Sequence, residues 1–279
     1  MPSREPRGLL ALIPLAAILA LTATHWFDLF RLWNETTTLG HGWLLLGLVA
    51  WELWQRRAQI GGLTLSFDAR MFAVLLGAVA VWVATIWFGV ENLRLTMLPI
   101  LLVAAIAVAT GRDGWRVFAF PVLLLLFATP FWFYVQPLLR EITVVVVGFL
   151  VRAVGITALI QGSTITLPSG SLEIADSCSG VHQFVVAALI GTVYAWWHTD
   201  DWRTRAKVVA LACAIAIVTN WIRVFALILV GYVSEMQHYL VRVDHYWFGW
   251  ALFAVSISIF FVLARRIVER SAAPTNGDA

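Results

Sequence analysis

Residues 212–233 read ACAIAIVTNWIRVFALILVGYV, an apolar run that is long enough to cross a lipid bilayer. A membrane helix needs about 20 predominantly apolar residues, since each residue rises about 1.5 Å and the hydrocarbon core is about 30 Å thick. The run also contains Asn220 and Arg223, three residues apart and therefore on one helix face. Because an ionisable residue inside a membrane helix is a candidate functional residue, this run predicts a membrane helix that carries a polar site.

The composition of the whole chain also indicates a membrane protein. Of the 279 residues, 61% are hydrophobic and 13% are charged, and the mean hydropathy is +0.85. Charged residues make up about a quarter of an average soluble domain. We therefore predict an all-α polytopic membrane protein, with membrane lipids as its surroundings. Since no basic block or aromatic-basic motif is present, we expect no nucleic-acid partner.

The apolar runs predict about eight transmembrane helices. Their approximate bounds are 8–27, 40–55, 71–90, 95–111, 116–135, 179–198, 206–233 and 246–264. The first run is longer than the apolar core of a cleaved signal peptide, which has about 7–15 residues, so we expect it to be retained. Together the spans predict a single integral membrane domain at 1–270, followed by a small, polar and disordered tail at 271–279.

The distribution of basic residues predicts the orientation, because cytoplasmic loops carry an excess of Lys and Arg. With the N-terminus inside, five basic residues fall outside and thirteen of the nineteen fall on the inner side. The thirteen are Arg4, Arg7, Arg56, Arg57, Arg70, Arg112, Arg116, Arg203, Arg205, Lys207, Arg265, Arg266 and Arg270. We therefore expect both termini in the cytoplasm and the protein in the cytoplasmic (inner) membrane.

The segment 137–160 is long enough to cross the bilayer, but a crossing there would place the strongest basic clusters outside. We predict instead that it is an amphipathic helix that lies in the outer interface or packs re-entrantly. Apolar and polar residues then alternate around Pro168, with Ile165 and Leu167 before it and Leu172 and Ile174 after it. This alternation predicts a small two-stranded β-hairpin on the outer face.

Cys178 lies where a polar segment becomes an apolar helix, in the run EIADSCSG at 173–180. Asp176 or Ser177 would be a suitable N-cap, which would place Cys178 in the first helical turn. The helix dipole favours a thiolate at that position. A lone cysteine at a helix start is more often structural, and Cys213, inside the apolar run 206–233, is interpreted as a packing residue.

The depth of Arg223 connects it to Cys178. Seventeen residues beyond Ala206, Arg223 lies about 25 Å into the membrane, in the outer leaflet. His245, at the start of the last span, is at the same outer level. A cysteine nucleophile needs a base and a positive group that stabilises an oxyanion. Cys178, His245 and Arg223 could supply these three roles.

Other residues compete for these roles. His182 lies four residues after Cys178 on the same helix face and could be the base instead of His245. Asp244 adjoins His245, and Asn220 precedes Arg223 by one turn, so both are possible supporting residues. A Cys/His metal site is conceivable, but no clustered ligand spacing supports it. We therefore expect neither a metal nor a cofactor.

Three short motifs in this order resemble the exosortase/archaeosortase family over about residues 115–265. They are Cys178-Ser179-Gly180, Asn220-x-x-Arg223 and His245-x-x-x-Gly249. The resemblance implies a membrane-embedded cysteine protease or transpeptidase. Such an enzyme cleaves C-terminal sorting signals of exported proteins on the outer face of the membrane, through a thioester acyl-enzyme. Its substrates combine a short motif, a transmembrane helix and a basic tail, and the acceptor nucleophile is unknown.

The resemblance also implies roles for individual residues. It makes Cys178 the nucleophile, Arg223 the residue that stabilises or orients the oxyanion, and His245 the acid/base. The family often has arginine four residues after the cysteine, where this chain has His182. The alternative function is a non-catalytic membrane subunit of a polysaccharide export or assembly system, in which Arg223 and His245 bind an anionic substrate.

Overall fold

The computed structural model describes residues 10–168, 170–173, 178–238 and 245–272. These residues are mostly helical and include three short strands, and the chain forms two compact units, Met1–Phe133 and Tyr134–Ala279. The expectation of a single domain at 1–270 stays a prediction. Most of the expected tail at 271–279 lies outside the described residues, and its first two residues continue the last helix.

The first unit is built from helices that pack along one another. They are α1 (Ile13–Glu35), α2 (Gly42–Gln55), α3 (Arg57–Gly61), α4 (Ala69–Trp87) and α5 (Glu91–Leu123), followed by 3₁₀ segments at Leu124–Ala128 and Pro130–Tyr134. Helix α4 begins after Asp68, whose carboxylate accepts hydrogen bonds from the amides of Arg70 and Met71. This N-cap satisfies two amides that have no partner inside the helix.

Helix α5 is interrupted at Gly111, where φ is 65° and ψ is −157°. The part before Gly111 pairs with the start of α4, since the amide of Asp68 donates to the carbonyl of Val108 at 3.0 Å. The part after Gly111 lies beside α2, where Arg56 Nη1 donates to the carbonyl of Val117 at 2.9 Å. The interruption falls on the last residue of the span predicted at 95–111, before the span predicted at 116–135.

The second unit is arranged around one long helix. In chain order its elements are α6 (Gln136–Ala153), β1 (Leu159–Gln161), β2 (Thr164–Leu167), β3 (Gly170–Glu173), α7 (Val181–His198), α8 (Trp202–Val233) and α9 (His245–Ala272). Helix α8 packs against α6, α7 and α9. An apolar cluster that includes Val144, Ile165, Val224 and Ile228 joins α6, the sheet and α8.

The segment at 137–160 differs from the predicted continuous helix, because α6 ends at Ala153. Gly155 has a φ of 83°, and the amide of Ile156 donates to the carbonyl of Val151. This pairing is a Schellman motif, which ends a helix at a left-handed glycine. The chain then forms β1, so the predicted hairpin is in fact a three-stranded antiparallel sheet, in which Ile165 pairs with Leu172.

Among the described residues, five helices are long and apolar enough to cross a membrane. They are Ile13–Glu35, Ala69–Trp87, Glu91–Ala128, Trp202–Val233 and Trp247–Ser271. The prediction of eight spans is therefore not confirmed. Helix α2 has only 14 residues, and α6 and α7 are not among the five. The interfacial position of α6 stays a prediction.

Candidate active site

Helix α8 presents two buried polar side chains, Asn220 and Arg223, which are 2% and 8% exposed. Its start is fixed by Asp201, whose carboxylate accepts hydrogen bonds from the amides of Arg203 and Thr204. From Trp202, eighteen residues at about 1.5 Å each place Asn220 about 27 Å along the helix. The side chains thus lie far from the basic start of α8, as the sequence predicted.

Asn220 contacts the segment that carries the cysteine. Its Nδ2 donates to the backbone carbonyl of Cys178 at 3.0 Å. Two residues later, Gly180 has a φ of 80°, and a Cβ there would lie 2.5 Å from Asn220 Cγ. Position 180 therefore requires glycine for two reasons: the backbone is left-handed, and the Asn220 amide lies too close for a side chain.

The start of α7 corrects one expectation. Helix α7 begins at Val181, with Gly180 as its N-cap, so Cys178 precedes the first helical turn and does not lie in it. The predicted caps Asp176 and Ser177 lie outside the described residues. Cys178 is half-buried and packs against the apolar cluster between α6 and α8. The hydrogen bond from Asn220 holds this turn through the Cys178 carbonyl.

Arg223 lies against the backbone of α9. A Cβ on Gly249 would be 3.0 Å from Arg223 Nε and 3.3 Å from its Cζ, so a glycine leaves room for the guanidinium. Gln183 of α7 donates from Nε2 to the carbonyl of Gly249 at 3.3 Å, which ties α7 to the same place. Arg223 Nε is buried and has no hydrogen-bond partner among the described residues. A buried cation of this kind favours an anionic ligand or a developing negative charge.

The structure describes the predicted residues His182, His245 and Asp244 only in part. His245 is the first residue of α9, one turn before Gly249, but its side chain and all of Asp244 lie outside the described part of the chain. His182 contacts Trp250 of α9 edge-on, with ring centroids 6.1 Å apart. The roles proposed for Cys178, Arg223 and His245 therefore stay predictions.

Two contributors to the site were not foreseen, Thr143 and Gln183. Thr143 of α6 is buried, donates from Oγ1 to the carbonyl of Leu139, and lies 3.4 Å from Asn220 Nδ2. The only sequence signal is a single hydroxyl in an apolar helix, which usually bonds its own backbone. Gln183 follows His182 in an otherwise apolar segment, and that isolated polarity was a usable signal.

A pocket adjoins the site between α6, α7 and α8. It encloses only about 10 Å³, space for about one water molecule, and Thr143, Ser179, Gly180 and Asn220 line it together with apolar side chains. In the part of the chain that the structure describes, no group of three or more His, Cys, Asp or Glu side chains could hold a metal ion.

Long apolar helices around a buried asparagine, a buried arginine and a half-buried cysteine define a helical membrane protein with a polar site. A family model of transmembrane exosortases matches residues 33–262, so the chain belongs to the transmembrane exosortase family. This is a family of transmembrane cysteine peptidases and transpeptidases. The match confirms the resemblance and extends it to helices before residue 115. No curated protein and no solved structure matches the chain.

Proposed function

We propose that the protein is a membrane-embedded cysteine protease or transpeptidase that cleaves C-terminal sorting signals of exported proteins on the outer face of the membrane. The observation that carries the proposal is the hydrogen bond from Asn220 Nδ2 to the Cys178 carbonyl, 3.0 Å long, in a chain of the exosortase family. It ties the cysteine turn to the helix that also buries Arg223. A thiol and a buried cation on neighbouring segments suit acyl transfer.

In the proposed reaction, the Cys178 thiolate attacks the scissile carbonyl and forms a carbon–sulfur bond. Arg223 stabilises the negative charge on the carbonyl oxygen, and His245 accepts the thiol proton and passes it to the leaving amine. Collapse of the intermediate breaks the peptide bond and leaves a thioester on Cys178. An acceptor nucleophile then attacks the thioester, so that the acyl group is released and the thiol is restored.

The proposed orientation places the site on the outer side of the inner membrane, with both termini in the cytoplasm. Supporting it, Thr204 Oγ1 and Ser271 Oγ are 2.8 Å apart, within hydrogen-bond distance, so the start of α8 and the end of α9 lie together. Both carry basic clusters, Arg203 and Arg205 in one and Arg265 and Arg266 in the other. Basic residues favour the cytoplasmic side, and Asn220 lies about 27 Å away along α8.

The proposal is tested by comparing the two cysteines. The full-length protein is co-expressed with an exported reporter that carries candidate C-terminal signals, each a short motif, a membrane helix and a basic tail. We expect Cys178→Ala to abolish cleavage of a processed reporter while the variant still accumulates in the membrane. Cys213→Ala, inside α8, is the matched control and should process normally. Normal processing by Cys178→Ala would refute the thiol as nucleophile.

A further inference from the structure

The three-stranded sheet of the second unit has β2 in the middle, so β1 and β3 each have one side without a neighbouring strand among the described residues. An edge strand presents backbone N–H and C=O groups that can pair with a further chain. An extended peptide carries the same groups in alternation and can bind such an edge as an added strand. The register of the sheet decides which of the two edges offers more of these groups.

The register of β2 and β3 shows which backbone groups of β3 point outwards. Only two residues separate Leu167 from its partner Gly170, so this pair exchanges its hydrogen bonds directly. Opposed residues alternate between pairs that exchange bonds and pairs that do not, and Ser171 and Glu173 therefore belong to the second kind. Their N–H and C=O groups point away from β2, and no backbone group of a described residue bonds to them.

The same rule leaves fewer free groups on β1. Gln161 and its partner Thr164 also enclose only two residues, so Gln161 and Leu159 bond to β2 and only Ile160 points outwards. The two outward residues of β3 are two positions apart, which is the repeat of an extended chain. The open edge of β3 is therefore the one that can hold a peptide in register.

This edge also lies near the proposed nucleophile. Cys178 follows Glu173 by five residues, and at about 3.5 Å per residue at most, the two are within about 17 Å of each other. Leu172 and Cys178 pack against the same apolar cluster, to which Ile165 of β2 belongs. An extended peptide on β3 thus needs only about five further residues to reach the thiol.

We infer that the open edge of β3 binds the substrate as an added strand and that the bound segment lies on the acyl side of the cleaved bond. The inference rests on the proposed function, and the ligand is a peptide because the chain belongs to a family of cysteine peptidases and transpeptidases. The acyl side is the part that stays attached to Cys178 in the thioester after the leaving amine has departed. Pairing with the backbone of Ser171 and Glu173 holds this part extended, so the thioester carbonyl keeps one position for the acceptor.

The first test maps the added strand by disulfide cross-linking. The full-length protein carries Cys178→Ala and Cys213→Ala, so that Ser171→Cys supplies its single cysteine. It is co-expressed with a reporter that the wild-type protein processes, in which cysteine replaces consecutive residues before the cleaved bond, one at a time. Because the side chains of a strand alternate between its two faces, we expect the disulfide yield in oxidised membranes to alternate with a period of two residues.

Leu159→Cys in the same background is the matched control. Leu159 and Ser171 both oppose Thr166, so they lie in one row at opposite edges of the sheet, about 10 Å apart. Leu159 is 57% exposed and is therefore open to the reporter. Because the inference places the peptide beside β3, we expect no alternating pattern from Leu159→Cys.

The second test removes one donor from the edge. Ser171→Pro deletes the outward N–H, and proline is tolerated on an edge strand where the N–H takes no part in the ladder. We expect this variant to melt as the wild-type protein does and to process the reporter about tenfold more slowly, the effect of one lost hydrogen bond. Ser171→Ala changes the side chain but keeps the N–H, and it should process normally.

The outcomes distinguish this inference from the proposed function. Cross-links that do not alternate, no cross-links at all, or the same pattern from Leu159→Cys would overturn the added strand, and so would normal processing by Ser171→Pro. Continued processing by Cys178→Ala, together with alternating cross-links, would overturn the thiol nucleophile and leave the added strand in place. An inactive Cys178→Ala without alternating cross-links would overturn the added strand alone.

Discussion

Both compact units contain an arginine that is largely shielded from solvent among apolar helices, Arg56 at 16% exposure of its side chain and Arg223 at 8%, and the two arginines have different surroundings. Arg56 of the first unit pairs with Glu52 at 3.2 Å, donates to the carbonyl of Val117, and lies over the ring of Phe120. Arg223 of the second unit lies against Gly249, and no carboxylate of the described side chains forms an ion pair with it. Arg56, for which no catalytic role is proposed, is thus neutralised by a carboxylate, whereas Arg223, for which one is proposed, is not.

The largest effect is expected at Arg223 itself. Arg223→Ala removes the proposed oxyanion-stabilising group, and loss of one such donor lowers turnover about 10²–10³-fold. Reporter processing should therefore fall by that factor while the amount of membrane-inserted protein stays constant. The double variant with Glu52→Leu and Arg56→Met, which removes the other arginine together with its partner, is the control and should process normally. Normal turnover by the Arg223→Ala variant would contradict a catalytic role for Arg223.

The next effect concerns Glu52 in the first unit. Glu52→Ala leaves the partly buried Arg56 without its carboxylate, and breaking a buried pair costs up to about 3 kcal/mol. We expect a clear drop in thermal stability in detergent, measured by fluorescence. Replacing both residues, with Glu52→Leu and Arg56→Met, should restore most of that stability. If the double variant were as unstable as the single one, the pair would have a role beyond charge neutralisation.

Two left-handed glycines allow a finer comparison inside the second unit. Gly155 and Gly180 have φ values of 83° and 80°, but only at Gly180 would an added Cβ meet another residue, Asn220. Gly155→Ala should cost about 1 kcal/mol, the strain of a left-handed alanine. Gly180→Ala should cost more in thermal stability and should also lower reporter processing. Equal effects of the two substitutions would show that the Asn220 contact is unimportant.

The smallest effect is expected at the capped start of α8. The hydrogen bond from the Thr204 hydroxyl, with that from the Thr204 amide, lowers the pKa of the Asp201 carboxyl below its usual value. A lowered folded-state pKa contributes stability above the unfolded pKa of about 3.9, and this is lost as pH falls through the folded value.

Asp201→Asn keeps a capping side chain but cannot ionise. We expect its melting temperature to lie slightly below the wild-type value at pH 7, with the gap closing below about pH 4 as Asp201 becomes protonated. Melting curves of both proteins from pH 3 to 7 measure this. A gap that widened on acidification would contradict the sign of the shift.

Several parts of the site could be predicted because their causes are local or come from the bilayer. Asn220 and Arg223 were identified as buried polar residues from their spacing in an apolar run. The helix start at Val181 was missed, because the true N-cap is Gly180. Its left-handed backbone and lack of a side chain make room for Asn220, which is forty residues away in the sequence. Strand β1 was assigned to a helix for a similar reason, since its partner β2 decides its conformation.

The amino-acid sequence by itself determined that this is a helical membrane protein with a polar site on α8. The reason is that hydrocarbon demands long apolar helices and makes any buried charge conspicuous. Only the tertiary structure decided how Asn220 holds the Cys178 carbonyl and how Gly249 accommodates Arg223. These features depend on distances of a few ångströms between segments far apart in the chain, which no local pattern encodes.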